Sequence, residues 1–233
     1  MKRILAIALT AVALCVPAPA RAALLVSEVL YNEIGSATGG EWIEIFNSGP
    51  GAVDLTNFKI GDEETSGAAS NTEGMFQFPG GASIAPNAVQ IVAVDADVFF
   101  TNYGFLPTYE VIGANATIPN LSRYAAWDPD VAVANTINLA NTNDQVAILD
   151  GADLIVDAVN WGNTFYFDPG LADAEADGQS YERIDARVDT DTAADWRLGN
   201  PSTPGTIPVP EPSGLALAAG ALAILVRRRR SVR

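Results

Sequence analysis

Short apolar segments separated by clusters of Gly, Pro, Asn and Asp run through the middle of this 233-residue chain, and no long stretch repeats with helical periodicity. That pattern predicts an all-β sandwich. The segments that read as strands are residues 24–31, 42–47, 58–61, 75–78, 89–94, 136–139, 145–149, 154–160 and 180–184, at uneven spacing. Asp150-Gly151 is the strongest turn signal: the pair is expected to supply the positive φ angles of a tight hairpin, so that 145–149 and 154–160 pair antiparallel. Pro79-Gly80-Gly81 and Gly49-Pro50-Gly51 mark other reversals, and residues 97–103 suit one short helical turn. Residues 168–178 are acidic and Ala-rich and read as an exposed loop, while the Pro-rich stretch 203–212 reads as a semi-rigid spacer. Alternation along 42–47 places Ile43 and Ile45 on one face and Trp42 and Phe46 on the other, with Glu44 expected near an edge or in solvent.

Charge sharpens this picture. The chain carries 28 acidic and 13 basic residues, a formal net charge of −15. Between residues 23 and 209 only Lys59, Arg123, Arg183, Arg187 and Arg197 face 27 acidic groups, which makes that stretch −22. Counterion release from a phosphate backbone needs Lys and Arg, so nucleic acid is excluded as a partner. There is no His, and the one Cys is Cys15. The usual general base and the usual zinc ligands are therefore missing.

The two ends read as addresses. Lys2-Arg3, an apolar run from Ile4 to Val16 and an A-x-A pattern at Ala20 to Ala22 predict a secretory signal peptide over residues 1–22, cleaved between Ala22 and Ala23. The run is too short to span a bilayer, and the exported chain keeps no cysteine. At the other end Pro210-Glu211-Pro212 precedes an apolar stretch that opens at Gly214 and closes at Val226, followed by four arginines, Arg227 to Arg230. As a helix that stretch covers about 20 Å, against a hydrocarbon core of about 30 Å, so it can hold a membrane transiently but is a weak permanent anchor. The arginines would stay on the cytoplasmic side. Residues 210–233 resemble the PEP-CTERM sorting signal of Gram-negative bacteria, with Pro210, Glu211 and Pro212 as its signature. The resemblance implies recognition by exosortase, a membrane-embedded cysteine transpeptidase, an inner-membrane intermediate, and delivery to the cell surface or an extracellular matrix.

The middle resembles the lamin-tail domain family. The likeness rests on Leu25-Val26-Ser27-Glu28-Val29-Leu30-Tyr31-Asn32, Glu41-Trp42-Ile43-Glu44-Ile45-Phe46-Asn47, Val53-Asp54-Leu55-Thr56-Asn57-Phe58, Asn143-Asp144-Gln145-Val146-Ala147-Ile148-Leu149-Asp150 and Val156-Asp157-Ala158-Val159-Asn160-Trp161-Gly162, in that order. Gln179-Ser180-Tyr181-Glu182-Arg183 and Ala193-Ala194-Asp195-Trp196 resemble the ending of bacterial members. Residues 23–205 would then form an immunoglobulin-like β-sandwich, non-catalytic in secreted bacterial proteins, with 206–209 as the linker to the sorting signal. Residues 119–135 are longer and more irregular than a compact sandwich needs.

Few residues offer chemistry. A Ser-Lys pair would depend on Lys59, the only lysine left after processing. Glu41 and Glu44 are the best candidates for a glycosidase pair, yet positions three apart on a strand face opposite ways. Calcium needs neither His nor Cys, and Asp185, Asp189, Asp191 and Asp195 form the densest acidic cluster, without the Gly and terminal Glu of an EF-hand. Asp95 with Asp97, and Asp128 with Asp130, are sparser. Of the tryptophans, Trp42, Trp161 and Trp196 fall in segments expected to pack the sandwich, whereas Trp127 lies in the irregular stretch and is the candidate for exposure. The expectation is an exported, exosortase-sorted, non-catalytic structural or adhesion module without a cofactor. Its alternatives are a carboxylate-dependent carbohydrate hydrolase and a calcium-dependent binding protein.

Overall fold

A computed structural model describes residues 24–35, 39–63, 66–67, 73–127, 129, 136–162, 169–173 and 176–207. The expected cleavage point at Ala22 and Ala23, the motif Pro210, Glu211 and Pro212, the apolar stretch from Gly214 to Val226, and Asp128 with Asp130 lie outside the described residues.

In chain order the strands are β1 (Leu24–Leu30), β2 (Trp42–Asn47), β3 (Val53–Asp54), β4 (Lys59–Gly61), β5 (Met75–Gln77), β6 (Ser83–Ile84) and β7 (Val89–Ala93). The helix α1 (Ala96–Tyr103) follows, and then β8 (Tyr109–Glu110), β9 (Ser122–Arg123), β10 (Asp144–Leu149), β11 (Ile155–Trp161), β12 (Ser180–Arg183) and β13 (Trp196–Gly199). Six strands form one sheet in the order β13-β12-β1-β2-β7-β8, five form the other in the order β11-β10-β4-β5-β9, and β3 pairs with β6. This is a β-sandwich, as the apolar pattern predicts, and of the immunoglobulin-like class that the lamin-tail resemblance implies.

Between the sheets lies one core to which Val26, Ile43, Ile45, Ile60, Phe76, Val92, Val146, Ile148, Val159 and Trp161 all contribute. Period-two alternation puts Ile43 and Ile45 into it and turns Trp42 outward, where Leu30, Ile91, Ala93 and Phe99 surround it. The outward face would expose that second apolar cluster, and α1 covers it. Asp95 starts α1 by accepting from the backbone N–H groups of Asp97 and Val98 at 2.8 and 3.0 Å. Gly104, at φ 78°, ends it in the left-handed conformation with its N–H on the Phe100 carbonyl.

Three local expectations change. Strands β10 and β11 do pair antiparallel, but across a four-residue turn whose positive φ falls on Asp153 (60°) rather than on Gly151. The Asp150 carboxylate accepts from Ala152 N–H and Leu154 N–H and holds that wider turn. Residues 136–139 form no strand: Ile137 and Leu139 are buried in the core as alternation suggests, yet carboxylates, not a neighbouring strand, take the N–H groups of Asn138 and Leu139. Trp127 is buried at 9% exposure against Met75 and Leu149, and its Nε1 donates to the Glu63 carbonyl at 3.2 Å.

Candidate functional site

Glu28, Glu44 and Glu182 stand side by side across the outer face of the six-stranded sheet, because β1 registers Glu28 against Glu44 of β2 and against Glu182 of β12. A bulge between Val26 and Glu28 breaks the alternation of β1. It leaves Val26 and Val29 in the core and turns both Ser27 and Glu28 outward. Glu44 is fully buried, contrary to the edge position expected from sequence, since a strap of chain at 202–205 lies over this row. Thr203 N–H donates to Glu28 Oε1 at 2.9 Å, Gly205 N–H to Glu44 Oε2 at 2.6 Å, and Thr203 Oγ1 to Glu182 Oε2 at 3.1 Å. From below, Ser27 Oγ donates to Glu44 Oε1 at 2.7 Å and Ser180 Oγ to Glu28 Oε1, while Arg197 Nε reaches Glu182 at 2.8 Å. Burial pushes the Glu28 carboxyl up to about 7 and that of Glu44 up to about 8, and the neighbouring carboxylates add to both shifts. The expected spacer at 203–212 is thus part of the folded domain as far as Gly205.

A second polar knot closes the opposite side of β12. The Arg183 side chain, 1% exposed, donates from Nη2 to both Asp157 oxygens at 3.0 and 2.9 Å and from Nε to the Val26 carbonyl at 2.7 Å. Asp157 Oδ2 in turn accepts from Val26 N–H at 2.7 Å. The pair therefore satisfies both backbone groups of Val26 on an edge of β1 where β12, registered only against Glu28 and Val29, supplies no partner. Asp189 lies 3.3 Å and Asp195 3.8 Å from Arg183 Nη1, and the guanidinium sits 4.7 Å over the Trp196 ring. Burial raises the Asp157 carboxyl to about 6, in opposition to Arg183, which lowers it.

Of the four aspartates proposed for calcium, the structure brings Asp189 and Asp191 together and adds Asp157, which the sequence did not suggest. Oxygens of these three lie within 4.8 Å of one another. Asp185 instead accepts from Arg187 N–H, and Asp195 from the N–H and Oγ1 of Thr190. Asp185 and Asp195 also line an open pocket of about 230 Å³ with Ile184, Val188 and Ala194, smaller than the ~300 Å³ at which small-molecule sites begin. Arg183 supplies the positive charge at the centre of this acid cluster. Asp157 already accepts three hydrogen bonds, one from Val26 N–H and two from Arg183 Nη2, so a cation would compete with ligands already in place.

The sequence profile of the Lamin Tail Domain matches residues 17–163, well over half of the chain. The chain belongs to the lamin tail domain family. No curated protein matches it. Among solved structures, a DUF4876 family protein from Bacteroides thetaiotaomicron is similar at 14% identity with a TM-score of 0.48, covering 83% of this chain and 74% of that one. The lamin-tail match ends two residues after β11, whereas β12 and β13 complete the six-stranded sheet beyond it.

The segments that carry the lamin-tail likeness meet in space. Tyr31 stacks on Trp161 at 4.1 Å and lies 6.3 Å from Tyr181, and Asp157, Arg183, Asp195 and Trp196 build the second knot. In this lamin-tail domain Glu41 and Glu44 do face apart: Glu41 accepts from Leu139 N–H at 3.0 Å on the side away from the strap. Asp62 accepts from Gly74 N–H and Asn138 N–H at 2.7 and 2.8 Å, and Asp144 from Ala140 N–H. Burial lifts Glu41 to about 8 and holds Asp62 well above the usual range, with Asp144 adding to both. Lys59, 4% exposed, pairs with Asp153, donates to the Asp150 carbonyl at 3.0 Å and lies 4.5 Å over the Tyr124 ring. Its amine serves a turn, not a serine.

Proposed function

We propose that this lamin-tail domain is an exported, exosortase-sorted module that acts at the cell surface or in an extracellular matrix as a structural or adhesion element without catalysis. The observation that carries the reading is the use of the buried carboxylates. Glu28, Glu44, Glu41, Asp62, Asp144 and Asp157 all accept backbone N–H groups of the domain itself. A glycosidase needs two carboxyl groups facing a cleft with room for a sugar and a water. Here the row that comes closest lies beneath residues 202–205, its oxygens occupied by Ser27, Ser180, Thr203, Gly205 and Arg197. Export and sorting rest on the order of signals in the sequence, a charged and apolar leader at the start and motif, apolar run and arginines at the finish. Among the described residues no helix is long and apolar enough to cross a membrane.

The test is to recover the protein from its host and measure the intact mass of the mature chain. Loss of residues 1–22 and of the segment containing Arg227 to Arg230 is expected. A chain that still carries the arginines overturns the sorting reading.

A further inference from the structure

The end of α1 and the turn after it expose an apolar patch beside the place where the strap leaves the sheet. Phe100 is 50% exposed, and Phe105 and Leu106 are each 41% exposed. Phe105 is held upright by an edge-on contact with the buried Phe99 ring at 5.3 Å. The strap fixes where the chain arrives: Thr203 and Gly205 are bonded to Glu28 and Glu44, Ser202 Oγ lies 2.9 Å from Tyr103 Oη, and a Cβ on Gly205 would meet the Phe105 ring at 3.6 Å. From that point the chain leads within ten residues to the apolar stretch that begins at Leu215.

We propose that the Phe100, Phe105 and Leu106 patch is the docking site for the chain's own apolar tail, residues 215–226, in the untrimmed protein. Reach, length and charge all favour that occupant. Ten residues span up to about 33 Å when extended, whereas the eight-residue α1 is only about 12 Å long, so the tail starts within reach of the whole helix. The apolar stretch is too short to bury itself across a ~30 Å hydrocarbon core, and a surface in the same chain offers it another apolar partner. A tail that starts at Phe105 and runs back along α1 carries Arg227 to Arg230 toward Asp95 and Asp97 at the start of the helix, on a domain whose own charge is −22. This inference goes beyond the sorting reading and does not depend on it, because it concerns the untrimmed chain away from the bilayer, where no membrane holds the arginines on the cytoplasmic side.

Proximity of two introduced thiols tests it, since a disulfide forms only when the two Cα atoms come within about 7 Å. In the full chain with Cys15→Ser, the pair Thr101→Cys and Ala219→Cys is compared with Leu154→Cys and Ala219→Cys, all under mild oxidant in detergent-free buffer. Thr101 is exposed on α1, and Leu154, 64% exposed, lies at the turn between β10 and β11. Docking predicts an intrachain disulfide at least about tenfold faster for the α1 pair, slowed toward the control by Phe105→Ser or Phe100→Ser in chains with an unchanged melting temperature. Equal rates for the two pairs overturn the proposal, and so do disulfides that form only between chains, which would assign the patch to a second copy.

Discussion

Arg183 and Asp157 form a buried ion pair, Nη2 on both carboxylate oxygens, that takes the place of β12 beside Val26. Guanidinium and carboxylate together take up the N–H and C=O of Val26, with donor–acceptor distances of 2.7 Å on both sides. The pair ties β12 of one sheet to β11 of the other, at the point where the pairing of β1 with β12 stops short of Val26.

Removing one half of this pair should be costly. Arg183→Met leaves Asp157 as a buried, uncompensated carboxylate and leaves the Val26 carbonyl without its donor. The expected loss is about 3–5 kcal/mol in urea unfolding followed by tryptophan fluorescence. Asp157→Leu added to Arg183→Met should recover part of it, because the lone charge is gone while Val26 stays unsatisfied. A loss under about 1 kcal/mol for Arg183→Met would show that the pair does not hold the sheets together.

Stability should fall as pH rises from mildly acidic to mildly alkaline. Glu28, Glu41, Glu44 and Asp62 all have folded-state values above their ordinary ones, the first three at about 7, 8 and 8. Between about 4.5 and 8 the folded chain holds more protons than the unfolded chain, so the contribution is complete below the unfolded values and is lost as pH climbs through the folded ones. The melting temperature at pH 5.5 is expected to exceed that at pH 8.5, with a smaller difference in Glu44→Gln. A melting temperature that increases over this range contradicts the assignment.

Calcium should leave the native domain unchanged. Arg183 already supplies a cation beside Asp157 and Asp189, and a ligand raises the melting temperature only when it binds the folded state. Scans with millimolar calcium and with chelator should coincide for the wild-type chain. In Arg183→Met, where Asp157, Asp189 and Asp191 lose that cation, calcium should restore part of the lost stability. A clear rise in the wild-type chain would make it a calcium-binding protein.

All four tryptophans are buried, from 0% exposure for Trp161 to 9% for Trp127. Iodide should quench little of the native fluorescence, and Trp127→Phe should leave the accessible fraction unaltered. Strong quenching that disappears in Trp127→Phe would place this ring at the surface and free it for stacking on a ligand.

The frame of the sandwich was legible because it rests on alternation. Residues 42–47 were delimited as a strand with the correct inward pair, and the other long strands differ from expectation by one or two residues at their ends. Strands β3, β6, β8 and β9 leave no signal in the sequence because two residues cannot display a period, and β13 leaves none because its middle pair, Arg197 and Leu198, is exposed. The acidic residues misled for a different reason. A carboxylate that accepts backbone N–H groups inside the domain has the same letter as one in water, so the sequence marks neither the burial of Glu44 nor the partnership of Asp157 with Arg183. Only the pairing of β1 with both β2 and β12, shifted by a bulge, brings three glutamates into one row.

Lys59 carries the only lysine amine between residues 23 and 209, and it is enclosed by Asp153, Tyr124 and the Asp150 carbonyl. Proteases that cut after lysine, and ligases or aldehydes that modify its side chain, thus find no accessible substrate on the folded domain. The folded domain is left open to trypsin-like attack only through its few arginines.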